Sequence, residues 1–197
     1  MINIILFGPP GAGKGTQSAK IIEKYSLLHI ATGDLFRKHL KEGTPLGTLA
    51  KDYMNKGNLV PDQVVIDMVD DKISSSEKAA GIIFDGFPRT IPQAEALDKL
   101  LASKDAPIKV LIELVVPEDE LRKRLADRAV KENRPDDAKP EVIENRIAVY
   151  KAETVSVAEY YKKHGKYASV VGVGEIDNIF SNICREIDKS LLLGSKN

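Results

Sequence analysis

A chain of 197 residues is long enough to bury one substantial core, and 43% hydrophobic with 29% charged content is ordinary for a folded globular chain. Lysine plus arginine equals aspartate plus glutamate, 29 each, so no global charge argues for nucleic acid or a membrane surface, and any anion site must come from local clustering. The single Cys184 excludes an internal disulfide and fits a reducing compartment, no run of about 18 apolar residues offers a membrane span, and the short N-terminal apolar run lacks the basic flank of a signal peptide. Met1–Phe7 is nearly unbroken apolar sequence, the length of one buried strand. It ends at Gly8-Pro9-Pro10-Gly11-Ala12-Gly13-Lys14-Gly15-Thr16, and Gln17–Lys24 follows with helical spacing. Strand, glycine-rich turn and helix is the layout of a phosphate-binding loop. Glycines let backbone N–H groups close on an anion, the helix start adds a partial positive charge, and Lys14 adds a full one. Gly15 stands where the common form carries a Ser or Thr for Mg²⁺, with Thr16 one residue later, so direct metal ligation by the loop is not expected.

Four more apolar runs follow: Leu27–Ile30, Gly81–Phe84, Val110–Leu114 and Ala168–Val171. Between them lie stretches of helical spacing: Asp34–Lys41, Leu46–Asn55, Val64–Ile73, Pro92–Ala102, Glu118–Val130, Lys139–Lys163 and Asp177–Leu193. Strands apolar on both faces and alternating with helices predict a parallel sheet covered on both sides. Two places break the rhythm. Ala31–Val60 holds two helical patterns with no strand between them, and Lys131–Lys139 is polar throughout with one proline. Cys184 falls among Ile179, Phe180, Ile183 and Ile187 at the spacing of a core-facing helix stripe. His29, His39 and His164 are scattered and form no metal set.

Ligands of parallel α/β sheets collect at the carboxyl ends of the strands. After Ile30 comes Ala31-Thr32-Gly33-Asp34-Leu35-Phe36-Arg37, and after Phe84 comes Asp85-Gly86-Phe87-Pro88-Arg89, with Gln93 one helical turn on. Together with the Gly8–Thr16 loop and Lys56-Gly57-Asn58-Leu59-Val60-Pro61, these motifs resemble adenylate kinase, of the nucleoside monophosphate kinase family. The resemblance spans essentially the whole chain. It implies a P-loop NTPase-type five-stranded parallel sheet with helices on both faces, a helical AMP-binding insertion and a short lid. The implied division is a core of 1–30, 61–127 and 138–197, an AMP-binding segment of 31–60 and a lid of 128–137. Relatives with a longer lid carry four zinc-binding cysteines; with Cys184 alone, this chain is expected to hold no zinc.

The resemblance also implies roles. Gly11, Ala12, Gly13, Lys14, Gly15, Thr16, Arg124, Arg128 and Gly174 would bind ATP, with Arg124 stacked on its adenine. Thr32, Asn58, Leu59, Val60, Gly86, Phe87, Pro88 and Gln93 would surround AMP, with Arg37 and Arg89 as bidentate grips on its phosphate. Arg134 and Arg146 would bind AMP and converge on the phosphates beside Arg128, Arg134 only by closure of its loop. Asp85, ending an apolar strand, would hold Mg²⁺ through water. Read alone, Arg122, Arg124, Arg128, Arg134 and Arg146 suggest a solvated charged helix and its surroundings; the resemblance reverses that for all but Arg122, which has no motif counterpart.

The implied reaction is ATP + AMP ⇌ 2 ADP. The acceptor phosphate has a second pKa of about 6, so its attacking oxygen is mostly deprotonated at neutral pH and no general base is required. Catalysis then falls to Lys14, Arg89, Arg128, Arg134, Arg146 and Asp85, and to exclusion of water by closing segments. The resemblance implies ATP, AMP and ADP as partners, with no nucleic acid or membrane expected, in a cytoplasmic monomer. Two rivals stand beside this reading. A UMP or CMP kinase of the same family is one; Thr32 argues against it, since pyrimidine relatives tend to carry alanine there. The other is a regulatory P-loop switch, which would carry Asn-Lys-x-Asp where this chain has only Asn55-Lys56-Gly57-Asn58.

Overall fold

β1 (Ile2–Phe7) is the middle strand of the molecule, and its alternating side chains divide the core in two. The computed structural model describes residues 1–76, 79–132, 134 and 139–194. Five parallel strands form one sheet in the order β2 (Leu28–Ala31), β3 (Gly81–Asp85), β1, β4 (Ile108–Val115) and β5 (Tyr167–Val171). Ile5 and Phe7 face one layer with Phe84 and Leu111. That layer is covered by α2 (Thr32–Lys41), α4 (Asp62–Ser74), α5 (Ile91–Ala102) and α8 (Val155–Lys163), through Phe36, Val65, Leu97 and Tyr161. Ile4 and Leu6 face the other with Ile83 and Ile112, covered by α1 (Lys14–Tyr25), α6 (Glu118–Lys131) and α9 (Ile176–Gly194), through Ile21, Leu121 and Ile183. Burial on both faces is why the central strands read as unbroken apolar runs. β5 departs from that rule: it is an edge strand, and Val171 is 66% exposed. Cys184 is buried on α9.

Between β2 and α4 the chain forms α2 and α3 (Pro45–Lys56) in succession, with no strand. Thr44 caps α3 by accepting the Gly47 N–H, and Gly57 ends it in the left-handed region. A small separate core of Leu125, Ile143 and Ile147 joins α6 to α7 (Pro140–Val149). The helical stretch expected over Lys139–Lys163 is helical throughout from Pro140 to Lys163, with a π-helical turn, Tyr150–Thr154, between α7 and α8. The wider turn accommodates an extra residue, with the Tyr150 ring 5.8 Å from Phe7 and its hydroxyl donating to Glu113 Oε1 on β4 at 3.1 Å.

Candidate active site

One cavity of about 840 Å³ opens at the carboxyl ends of the strands, toward the top of the usual range for small-molecule sites. Every site residue singled out above lines it: Gly11 to Thr16 on the loop, Thr32 and Arg37, Asn58 to Val60, Asp85 to Arg89, Gln93, then Arg124, Arg128, Arg134, Arg146 and Gly174. Arg122 does not; it pairs on the outer surface with Glu118, Asp119 and, across to α7, Glu144. Of the expected lid 128–137, residues 133 and 135–137 lie outside the described residues.

The loop after β1 turns into α1 through Gly13, which takes φ +89 as the residue before the helix. A side chain there would strain the turn that presents the first N–H groups of α1 to the cavity. Lys14 is folded back so that Nζ donates to the carbonyls of Gly8 at 2.8 Å and Pro9 at 3.1 Å. Burial lowers its pKa to about 8, with Arg89, Arg146 and Arg128 pushing the same way and Asp85 opposing them. Burial likewise lowers the Arg89 guanidinium to about 10, with Arg146 and Arg37 adding to the effect and Asp85 opposing. Cations crowded this closely depress one another's charged form, and a bound polyanion relieves that repulsion.

Asp85 ends β3 opposite Ala31 of β2. Burial works to raise its pKa, but His29, Lys14 and Arg89 outweigh burial and hold the carboxyl below the usual carboxylate range. His29 Nε2 lies 3.9 Å from Asp85 Oδ2, an ion-pair distance too long for a hydrogen bond. The sequence suggested no role for His29; only the parallel pairing of β2 with β3 brings it to Asp85.

On the wall beyond β2 and β3, Thr32 Oγ1 and Arg89 Nε both donate to the Gly86 carbonyl, at 2.8 and 2.7 Å. Gly86 has φ +73, and a Cβ there would lie 2.8 Å from Arg89 Nη2, so a larger residue would displace the guanidinium. Arg37 pairs with Asp34 one helical turn before it. Gln93 accepts the Arg89 backbone N–H and donates to Asp62, a residue that sequence reasoning missed. From α7, Asn145 Nδ2 donates to the Lys56 carbonyl at 2.7 Å and to Asn58 Oδ1 at 2.8 Å, tying the end of α3 to the helix that carries Arg146.

The opposite wall is built on α6. Arg124 pairs with Glu120 at 2.7 Å and donates from Nη1 to the Gly172 carbonyl at 3.0 Å. Arg134 pairs with Glu132 at 2.6 Å. Among the described residues no group of three or more His, Cys, Asp or Glu is placed to hold a metal, and no helix is long and apolar enough to cross a membrane.

Comparison with known proteins agrees along nearly the whole length. The family model described as Adenylate kinase matches residues 6–166. The adenylate kinase of Bacteroides fragilis is 47% identical over 188 residues, 95% of this chain and 99% of its own. That of Bacteroides thetaiotaomicron is 47% identical over 189 residues, 96% of this chain and 100% of its own. That of the more distant Methanothrix thermoacetophila is 42% identical over 213 residues, 95% and 99%.

Proposed function

The chain belongs to the adenylate kinase family and is an enzyme of ATP:AMP phosphotransfer; from that premise we propose how its residues divide the work. The Gly8–Thr16 loop and Lys14 receive the donor phosphates, with Arg124 and Gly174 beside the donor base. Thr32, Asn58 to Val60, Gly86 to Pro88 and Gln93 receive the acceptor nucleoside, and Arg37 and Arg89 its phosphate. Arg128, Arg134 and Arg146 converge on the group in transit. The observation that carries this reading is the convergence of Lys14, Arg37, Arg89, Arg128, Arg134 and Arg146 with the loop residues on one cavity, where burial and neighbouring arginines lower both Lys14 and Arg89. Such a site favours the charge that spreads over phosphoryl oxygens as the bond to the donor breaks and the bond to the acceptor forms.

No side chain needs to take a proton, since the acceptor phosphate presents an oxygen largely deprotonated near pH 7. Asp85 suits Mg²⁺ held through water: it is a buried carboxylate kept ionised beside the phosphate loop, and Mg²⁺ in nucleotide sites takes one or two carboxylates, waters and phosphates. Asp85 would hold the ion, and the ion would supply positive charge against the phosphates when bound. Lys14 and the arginines orient the two phosphate chains in line, and the surrounding walls keep water from competing as acceptor.

The segment 31–60 closes over AMP and the lid 128–137 over ATP, against a core formed by the rest. The small Leu125–Ile143–Ile147 core joins α6 to α7 on either side of the lid segment, and α6 also packs on the sheet through Leu121. We place the enzyme in the cytoplasm as a monomer using no zinc; the buried Cys184 needs no oxidising compartment. A panel of AMP, UMP and CMP with Mg-ATP tests the acceptor assignment: AMP is expected to be the preferred acceptor, and equal turnover of UMP would overturn it. Arg89→Ala tests the division of the walls. It is expected to raise KM for AMP far more than KM for ATP, and the reverse pattern would exchange the two sites.

A further inference from the structure

Gln93 is 2% exposed and lines the cavity, and its amide is held from both sides. Its Oε1 accepts the backbone N–H of Arg89 at 2.8 Å, and its Nε2 donates to Asp62 Oδ1 at 2.7 Å. A backbone N–H only donates and an ionised carboxylate only accepts, so these partners allow one orientation of the amide and not its reverse. Asp62 is held in turn, because Thr90 Oγ1 donates to the same oxygen at 3.0 Å. Thr90 is also the cap of α5, accepting the Gln93 backbone N–H at 3.3 Å.

Each polar atom of the Gln93 amide keeps one further valence, the second N–H on nitrogen and the second lone pair on oxygen. They form a donor and an acceptor in fixed order. A 6-amino purine offers the complement: an amino donor beside a ring-nitrogen acceptor. A 6-oxo purine puts an acceptor at position 6, where Gln93 Oε1 would oppose it. Reading that base would require the amide to turn over, which breaks both internal hydrogen bonds and aims Oε1 at the Asp62 carboxylate.

We infer that Asp62 is the positioning residue that makes Gln93 select a 6-amino over a 6-oxo purine in the acceptor nucleotide. The inference rests on the reading that Gln93 faces the acceptor base. Asparagine at position 62 can present an N–H to the turned Oε1, which removes the repulsion and restores one of the two bonds.

The experiment compares kcat/KM for AMP and for IMP, with Mg-ATP as donor, in wild type, Asp62→Asn and Gln93→Leu. Asp62→Asn is expected to lower the AMP/IMP ratio at least tenfold, with a gain on IMP contributing, and Gln93→Leu to lower it through loss on AMP. A purely structural role for Asp62 would reduce both substrates by one factor and leave the ratio fixed, which would overturn the proposal. The ratio is insensitive to the fraction of folded protein, and Asp62→Ser, whose hydroxyl can donate or accept, is a second variant with the same expected direction. If Gln93→Leu moves the ratio and neither Asp62 variant does, Asp62 has no such role and Gln93 keeps its place. If Gln93→Leu leaves the ratio unchanged, the base-facing reading of Gln93 fails and takes the proposal with it.

Discussion

The two walls of the cavity hold their polar side chains in different ways. On the acceptor side, Thr32 and Arg89 share the Gly86 carbonyl, and Gln93 is fastened between Arg89 and Asp62. Those bonds use backbone groups and buried partners that have no reason to leave when a nucleotide arrives. On the proposed donor side, Arg134 is held by the carboxylate of Glu132, which a phosphate would have to replace or share, while Arg124 is held by Glu120 and by the Gly172 carbonyl. Arg37, paired with Asp34, is the acceptor wall's exception. On the proposed division of the walls, the acceptor would meet a preorganised surface and the donor phosphates would complete theirs as they bind.

The largest effects are expected where both walls depend on one charge. Lys14→Met and Arg89→Ala should each lower kcat by about 10²–10³ or more, the usual cost of losing one well-placed donor in a polar transition state. Arg134→Ala should lower kcat by about 10² in steady-state assays while leaving KM for AMP little changed. Wild-type turnover in that variant would remove the lid arginine from the mechanism and with it half of the contrast.

The pH dependence comes next. Lys14 titrates near 8 in the folded protein instead of at its ordinary 10.5. kcat/KM for ATP should therefore fall above about pH 8, approaching tenfold per pH unit, and bound phosphates should shift the corresponding limb of kcat to higher pH. Between about 8 and 10.5 the unfolded chain binds more protons at Lys14 than the folded chain does. This group's contribution to unfolding free energy therefore rises with pH across that window, and it is measured by denaturant titration of the ligand-free protein against a Lys14→Met control. A KM profile for ATP flat to pH 10 would remove the electrostatic crowding from the argument.

Smaller changes sharpen the comparison. Glu132→Gln frees Arg134 from its carboxylate and should lower KM for ATP about two- to threefold, in the range of a partly exposed ion pair. Arg122→Ala, on the outer surface, should leave kcat within about twofold. A large loss there would mean that the α6–α7 ion pairs position the donor wall.

Much of this arrangement is legible in the sequence because buried parallel strands leave unbroken apolar runs and glycine-rich turns leave their own mark. The π-helical turn at Tyr150–Thr154 is not legible, since Tyr-Lys-Ala-Glu-Thr carries no proline or glycine and continues a helical pattern. Asp62 is not legible either: after Pro61 it reads as an acidic residue opening a helix, and its link to Gln93 crosses from α4 to α5. His29 reads as one of three scattered histidines until the pairing of β2 with β3 sets it beside Asp85.

The most direct measurement is calorimetric titration with two adenosines joined by five phosphates, in wild type and in Arg89→Ala and Arg134→Ala. One molecule per chain is expected, competing with both ATP and AMP, with at least tenfold weaker binding in each variant because each removes a cation from a different wall. Two molecules per chain, competition with only one nucleotide, or loss of affinity in only one variant would contradict a single cavity that grips both nucleotides at once.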